Sequence, residues 1–176
     1  MNLELIKKLE DTKGILSSLG LKLNSQIDEK KDQYIQIVRN DFADFFKEKG
    51  FKINTENLNI TASYGNLVAR LYHDAPETNF MGCYFTFNLD LKALNNTEYS
   101  VLLCRKAPGF NVSVSTKSNN TDIQKEIDDV QNSIKEIKER LDNFSQEEWK
   151  LYIKNSDSTF SQGYPSIREF LNSIIE

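Results

Sequence analysis

Ile123, Ile127, Val130, Ile134, Ile137, Leu141 and Phe144 recur in alternating steps of four and three residues without a slip. That spacing holds one stripe of a helix toward a partner helix, so it predicts a heptad helix over 121–144. A helix facing a sheet usually carries a wider apolar face. Here the flanking Lys125, Glu126, Lys135, Glu136, Lys138 and Glu139 are all charged, which narrows the stripe to a helix-pairing edge. The expected arrangement is an antiparallel coiled-coil-like hairpin with an N-terminal helix of the same chain, ahead of a seam between two copies. Thr121 and Gln124 have the spacing of a capping box that would open this helix.

The N-terminal region, 1–49, also has helical periodicity. Leu5, Leu9, Thr12, Leu16, Leu19 and Leu23 form a second heptad-like stripe, interrupted by Gly14 and Gly20. Each glycine costs about 1 kcal/mol against alanine inside a helix, so a break near Gly20 and a new start at Ser25 are expected. The second helix would carry Ile27, Tyr34, Ile35, Val38, Phe42, Phe45 and Phe46, and end at Gly50 in a left-handed cap.

From 50 to 117 the period falls to two. Leu58-Ile60-Ala62-Tyr64, Leu67-Ala69-Leu71, Cys83-Phe85-Phe87-Leu89, Tyr99-Val101-Leu103 and Phe110-Val112-Val114 alternate with polar residues. Short turns at Gly65-Asn66, Asn95-Asn96 and Pro108-Gly109 separate several of them, which predicts an antiparallel meander of about five strands. Phe51-Lys52-Ile53 is a candidate short edge strand. In 118–176, Ser145 and Glu148 have capping-box spacing ahead of Trp149, Tyr152 and Ile153, predicting a short helix. Pro165 precedes a last helix with Ile167, Phe170, Leu171, Ile174 and Ile175. Helices, then strands, then helices make an α+β fold, a single domain with a helical extension.

Composition narrows the function classes. A net charge of -4 argues against a binder of nucleic-acid backbones. Cys83 and Cys104 lie in apolar runs and read as small buried hydrophobes in a reducing compartment rather than a disulfide framework. The N-terminus lacks the basic and apolar regions of a signal peptide, and no run reaches the roughly 20 apolar residues of a membrane span. The expectation is a cytoplasmic protein. Abundant Lys and Asn suggest the codon usage of a low-GC bacterium or its phage.

Candidate chemistry is sparse. Asp74 with Asp90-Leu91-Lys92 imitates the spacing by which restriction-type nucleases hold Mg²⁺ and assist water. Antiparallel pairing is expected to leave the two carboxylates at opposite edges of the sheet, which weighs against that use. His73 is the one histidine, so any Ser-His-Asp relay or histidine-containing zinc site would run through it. Neither a glycine-rich phosphate loop nor a Cys-x-x-Cys pair is present, and no cofactor is expected. Arg70, Tyr72, His73, Tyr84 and Arg105 are candidates for one sheet face. Phe80 and Met81 stand out as apolar in the long loop 73–82.

These features favour a non-catalytic interaction protein: an adaptor, inhibitor, immunity-type protein or complex subunit. It would bind another protein, or itself, through helices. The alternatives are a metal-dependent nuclease or hydrolase using Asp74, Asp90 and Lys92, and a small-ligand or nucleic-acid module on the sheet face.

Overall fold

The computed structural model describes residues 2–73, 82–108, 122–154 and 159–175. Among them run α1 (Leu3–Glu48), β1 (Lys52–Glu56), β2 (Asn59–Tyr64), β3 (Leu67–Tyr72) and β4 (Cys83–Asp90). There follow α2 (Lys92–Asn95), β5 (Glu98–Cys104), α3 (Ile123–Asn143), a 3-10 turn (Phe144–Gln146), β6 (Lys150–Lys154) and α4 (Ile167–Ile175). The six strands pair antiparallel in sequence order, β1 to β6. The α+β meander expected from the alternating periods is therefore present, with helices before and after it; β2 to β5 match four of the expected strands, β1 matches the candidate edge strand, and β6 was not expected. The chain divides into two compact units, one of Met1–Lys30 with Asn111–Glu147 and one of Lys31–Phe110 with Glu148–Glu176.

The sheet unit is built on the sheet face that carries Ile60, Ala62, Ala69, Leu71, Phe87, Leu89, Val101, Leu103, Leu151 and Ile153, all buried. The second half of α1 adds Ile35, Val38, Phe42, Phe45 and Phe46, and α4 adds Ile167, Phe170 and Leu171. Each such large side chain contributes about 2 kcal/mol through apolar area removed from water. Rings mark the contacts: Tyr99 meets Phe170 at 5.2 Å, and Trp149 stacks on Tyr84 at 4.3 Å and on Tyr34 at 5.6 Å. Helix α1 ends as its Gly50 predicts. Gly50 has φ +84°, its N–H donates to Lys47 O, and Phe51 N–H donates to Phe46 O. The Phe46 and Phe51 rings close the motif at 5.1 Å.

Three local expectations are corrected. Helix α1 runs without a break through Gly14 and Gly20, neither of which has a positive φ. Their cost is carried by the residues packed on either side, since Leu9, Thr12 and Leu23 are all buried. Trp149-Tyr152-Ile153 does not form a helix. Residues 150–154 are β6, paired with β5 so that Val101 faces Ile153 and Leu103 faces Leu151. The aromatic and β-branched content of that run suits a strand, and a free place beside β5 overrode the capping-box spacing. The side chain that caps α3 is Asp122, which accepts from Gln124 N–H at 3.0 Å. Thr121 and the expected strand Phe110-Val112-Val114 lie outside the described residues.

The cysteines are corrected as well. Cys83 and Cys104 stand opposite one another in β4 and β5 and form a disulfide, with an S–S distance of 2.02 Å. A bulge between Cys83 and Phe85 turns Cys83 toward the outer face, where Cys83, Cys104, Tyr152, Leu102 and Phe160 make a second apolar cluster.

Candidate functional site

In the helical unit, α1 and α3 run parallel rather than as the expected antiparallel hairpin. Lys13 Nζ pairs with Glu126 Oε1 at 2.8 Å near the start of α3. Further along both helices, Lys30 Nζ donates to Phe144 O at 3.3 Å and to Glu147 O. Both helices thus advance in the same sense. Lys30 also lies over the Phe144 ring at 5.1 Å, and Arg140 holds Glu147 with two bonds at 2.7 and 3.2 Å. Burial lowers the Lys30 ammonium pKa, Glu147 opposes that shift, and Arg140 adds to it. This polar clasp satisfies the carbonyls left over where the 3-10 turn ends. A parallel pair is possible because the connection is long: five of the six strands, β1 to β5, lie between the two helices in sequence.

The heptad seam is covered only in part. Ile127 is buried, and Phe144 is buried beyond it, while Ile123, Val130, Ile134, Ile137 and Leu141 are each half-exposed. On α1, Leu9, Thr12 and Leu23 of the expected stripe are buried, and Leu5, Leu16 and Leu19 are half-exposed. Outside that stripe, Leu3, Ile15 and Leu21 are 60%, 52% and 70% exposed. The periodicity placed these residues on one stripe of a helix. It could not tell how many helices would cover it.

In the sheet unit, strand register assembles a polar row across the outer face. Thr61 lies opposite Arg70, Arg70 opposite Asp90, and Asp90 opposite Glu98. Arg70 and Asp90 approach at 3.8 Å, and Asp90 Oδ1 accepts from Lys92 N–H at 3.0 Å at the start of α2. Glu98 accepts from Lys92 Nζ and from the Tyr72 hydroxyl, each at 2.5 Å. Those two donors, Lys92 first, hold the Glu98 carboxyl below its ordinary range, while Glu98 raises the Lys92 ammonium. Glu56, Asn59, Thr61, Arg70, Tyr72 and Asp90 line a shallow groove of about 300 Å³.

The sheet-face candidates therefore separate. Arg70 and Tyr72 share the groove. His73 sits beside it, with Nδ1 at 2.7 Å from Thr86 O and its ring on Phe85 at 4.2 Å. Tyr84 is buried against Trp149 and does not belong to an exposed face; the bulge at Cys83 reverses its side. Its uninterrupted apolar neighbours, Cys83 and Phe85, are the sequence signal for that reversal. Arg105 is half-buried and its N–H donates to Gly82 O. Phe80 and Met81 lie outside the described residues, and so does Asp74. Asp90 and Lys92 are near one another but engaged with Arg70 and Glu98. Glu98, which organises the row, was not singled out by sequence; register counted outward from the Asn95-Asn96 turn leads to it.

Among the described residues, no three His, Cys, Asp or Glu side chains converge as metal ligands would, and no helix is long and apolar enough to cross a membrane. Comparison with known protein families, with curated proteins and with solved structures finds no match.

Proposed function

We propose that this chain is a non-catalytic protein-binding protein whose helical unit receives a helix of its partner. The observation that carries this reading is the incomplete cover of the heptad seam. Five of its seven residues stay half-exposed although α1 already lies alongside α3. Within the helical unit, three further large apolar side chains of α1, Leu3, Ile15 and Leu21, stand exposed. A two-helix pair buries too little apolar surface to hold itself in order, and an added helix would complete the bundle. The charged residues that flank the stripe would form a polar rim around such a contact.

The compartment expectation loses one support. Unpaired cysteines spoke for the cytoplasm, whereas a disulfide is more at home in an oxidising environment.

The test is affinity capture with the tagged chain from an extract of its source. The expected result is a partner retained by wild type, Asp90→Ala and Lys92→Ala, and lost by Ile134→Asp. Mg²⁺-dependent nuclease activity that disappears in Asp90→Ala and Lys92→Ala, with unfolding curves like wild type, would overturn the reading.

A further inference from the structure

The two edges of the sheet are treated differently. On the β6 side, the chain returns and covers the edge. Leu151 and Tyr164 exchange N–H···O bonds at 2.9 and 2.8 Å, Ser161 N–H donates to Ile153 O at 3.0 Å, and Ile153 N–H donates to Ser161 Oγ at 3.0 Å. Gly163 makes this approach possible, because a Cβ there would lie 2.9 Å from the Tyr152 ring. On the β1 side, nothing among the described residues pairs with the strand except β2.

The unpaired groups of β1 can be assigned from its turn. Asn57-Leu58 is a two-residue connection, so Glu56 and Asn59, which face each other, must be a hydrogen-bonded pair. Alternation then gives the same role to Asn54 with Thr61 and to Lys52 with Ser63. Ile53 and Thr55 are left with their N–H and C=O groups directed away from the sheet. An edge with open groups of this kind is a template for another strand.

The strand is also self-complementary. Read antiparallel to itself about Asn54, Lys52-Ile53-Asn54-Thr55-Glu56 sets Lys52 against Glu56 of a second copy, and Glu56 against Lys52. The same register sets Ile53 against Thr55, the two residues whose backbone groups point outward. Hydrogen-bond parity and charge therefore select one register, with a two-fold axis at Asn54. We infer that β1 is a homodimer edge, joining two six-stranded sheets into one continuous antiparallel sheet. Four backbone hydrogen bonds would form between the Ile53 and Thr55 groups of the two copies. Two Lys52–Glu56 pairs would flank an Asn54–Asn54 contact on the outer face. This is a surface of the sheet unit, separate from the helix seam of the proposed function.

Sedimentation equilibrium of the full chain, at concentrations up to about 300 µM, suits a contact at the small end of interface size. Wild type is expected to dimerise. Lys52→Glu alone and Glu56→Lys alone each create two like-charge contacts, so each should weaken the dimer about tenfold or more. The double exchange, Lys52→Glu with Glu56→Lys, should restore it. Thr55→Pro removes an outward N–H that β2 does not use, and should abolish the dimer while leaving the circular dichroism spectrum intact. Ile134→Asp should leave the dimer unaffected. A monomeric wild type, single exchanges that dimerise as tightly as wild type, or a double exchange that stays as weak as the singles would overturn the inference. So would loss of the dimer in Ile134→Asp alone.

Discussion

At the residue scale, the outer face is organised by side chains that answer each other's charge. Glu98 is exposed, yet it receives both the Lys92 ammonium and the Tyr72 hydroxyl, which hold its pKa below the ordinary 4.5. Glu48 is held down in the same way by two bonds from Arg168, at 2.7 and 2.9 Å. The linkage has a definite sign. A carboxyl with a depressed folded pKa stabilises the fold above its unfolded value, and that stabilisation is lost as pH falls through the folded value. Asp41 acts in the opposite sense, because burial raises its pKa above 3.8. Glu98→Gln should therefore flatten the decline of the urea midpoint between about pH 5 and pH 3. A decline as steep as that of wild type would show that the Lys92–Glu98–Tyr72 arrangement does not persist in solution.

At the element scale, periodicity proved a better guide than punctuation. The helical stripe of 5–23, the cap at Gly50 and the strand alternation were all legible, because each follows from a repeating pattern or a unique backbone requirement. The break at Gly20 and the helix after Ser145 were inferred from single residues and are not found. Local preferences of about 1 kcal/mol yield to packing and to a vacant sheet edge. Gly20 lies in regular helix with nothing within 4 Å of an added Cβ. Gly20→Ala should therefore raise stability by about 1 kcal/mol in urea unfolding, whereas a real break there would yield no gain.

The seam can be dissected in the same way. Ile127 is fully buried and Ile134 is half-exposed. Ile127→Asp should cost several kcal/mol, as an unpaired buried charge does, and Ile134→Asp about 1 kcal/mol or less in the purified chain. Equal losses at both sites in denaturant titrations would make the whole seam core rather than surface.

At the scale of the whole molecule, the order helices, strands, helices was readable and so was the meander. Two long-range features were not. The parallel course of α1 and α3 is a relation between helices far apart in sequence, which no local pattern encodes. The disulfide depends on β4 and β5 bringing Cys83 opposite Cys104, which register decides and the apolar surroundings conceal. Its cysteines are 21 residues apart, a loop for which cross-linking is worth about 3 kcal/mol. The double variant Cys83→Ala with Cys104→Ala should lose roughly that much against oxidised wild type, by urea unfolding without reductant. A loss no greater than that produced by either single substitution in reductant would return the pair to the role of simple hydrophobes.

The central claim is that the half-covered seam of α3 is where a partner binds. It is tested most directly by calorimetric titration of the captured partner into wild type and into Ile134→Asp. The account predicts that the substitution weakens binding by about 1.4 kcal/mol or more, a factor of at least about ten, while the chain stays folded. Affinity unchanged by Ile134→Asp would contradict it.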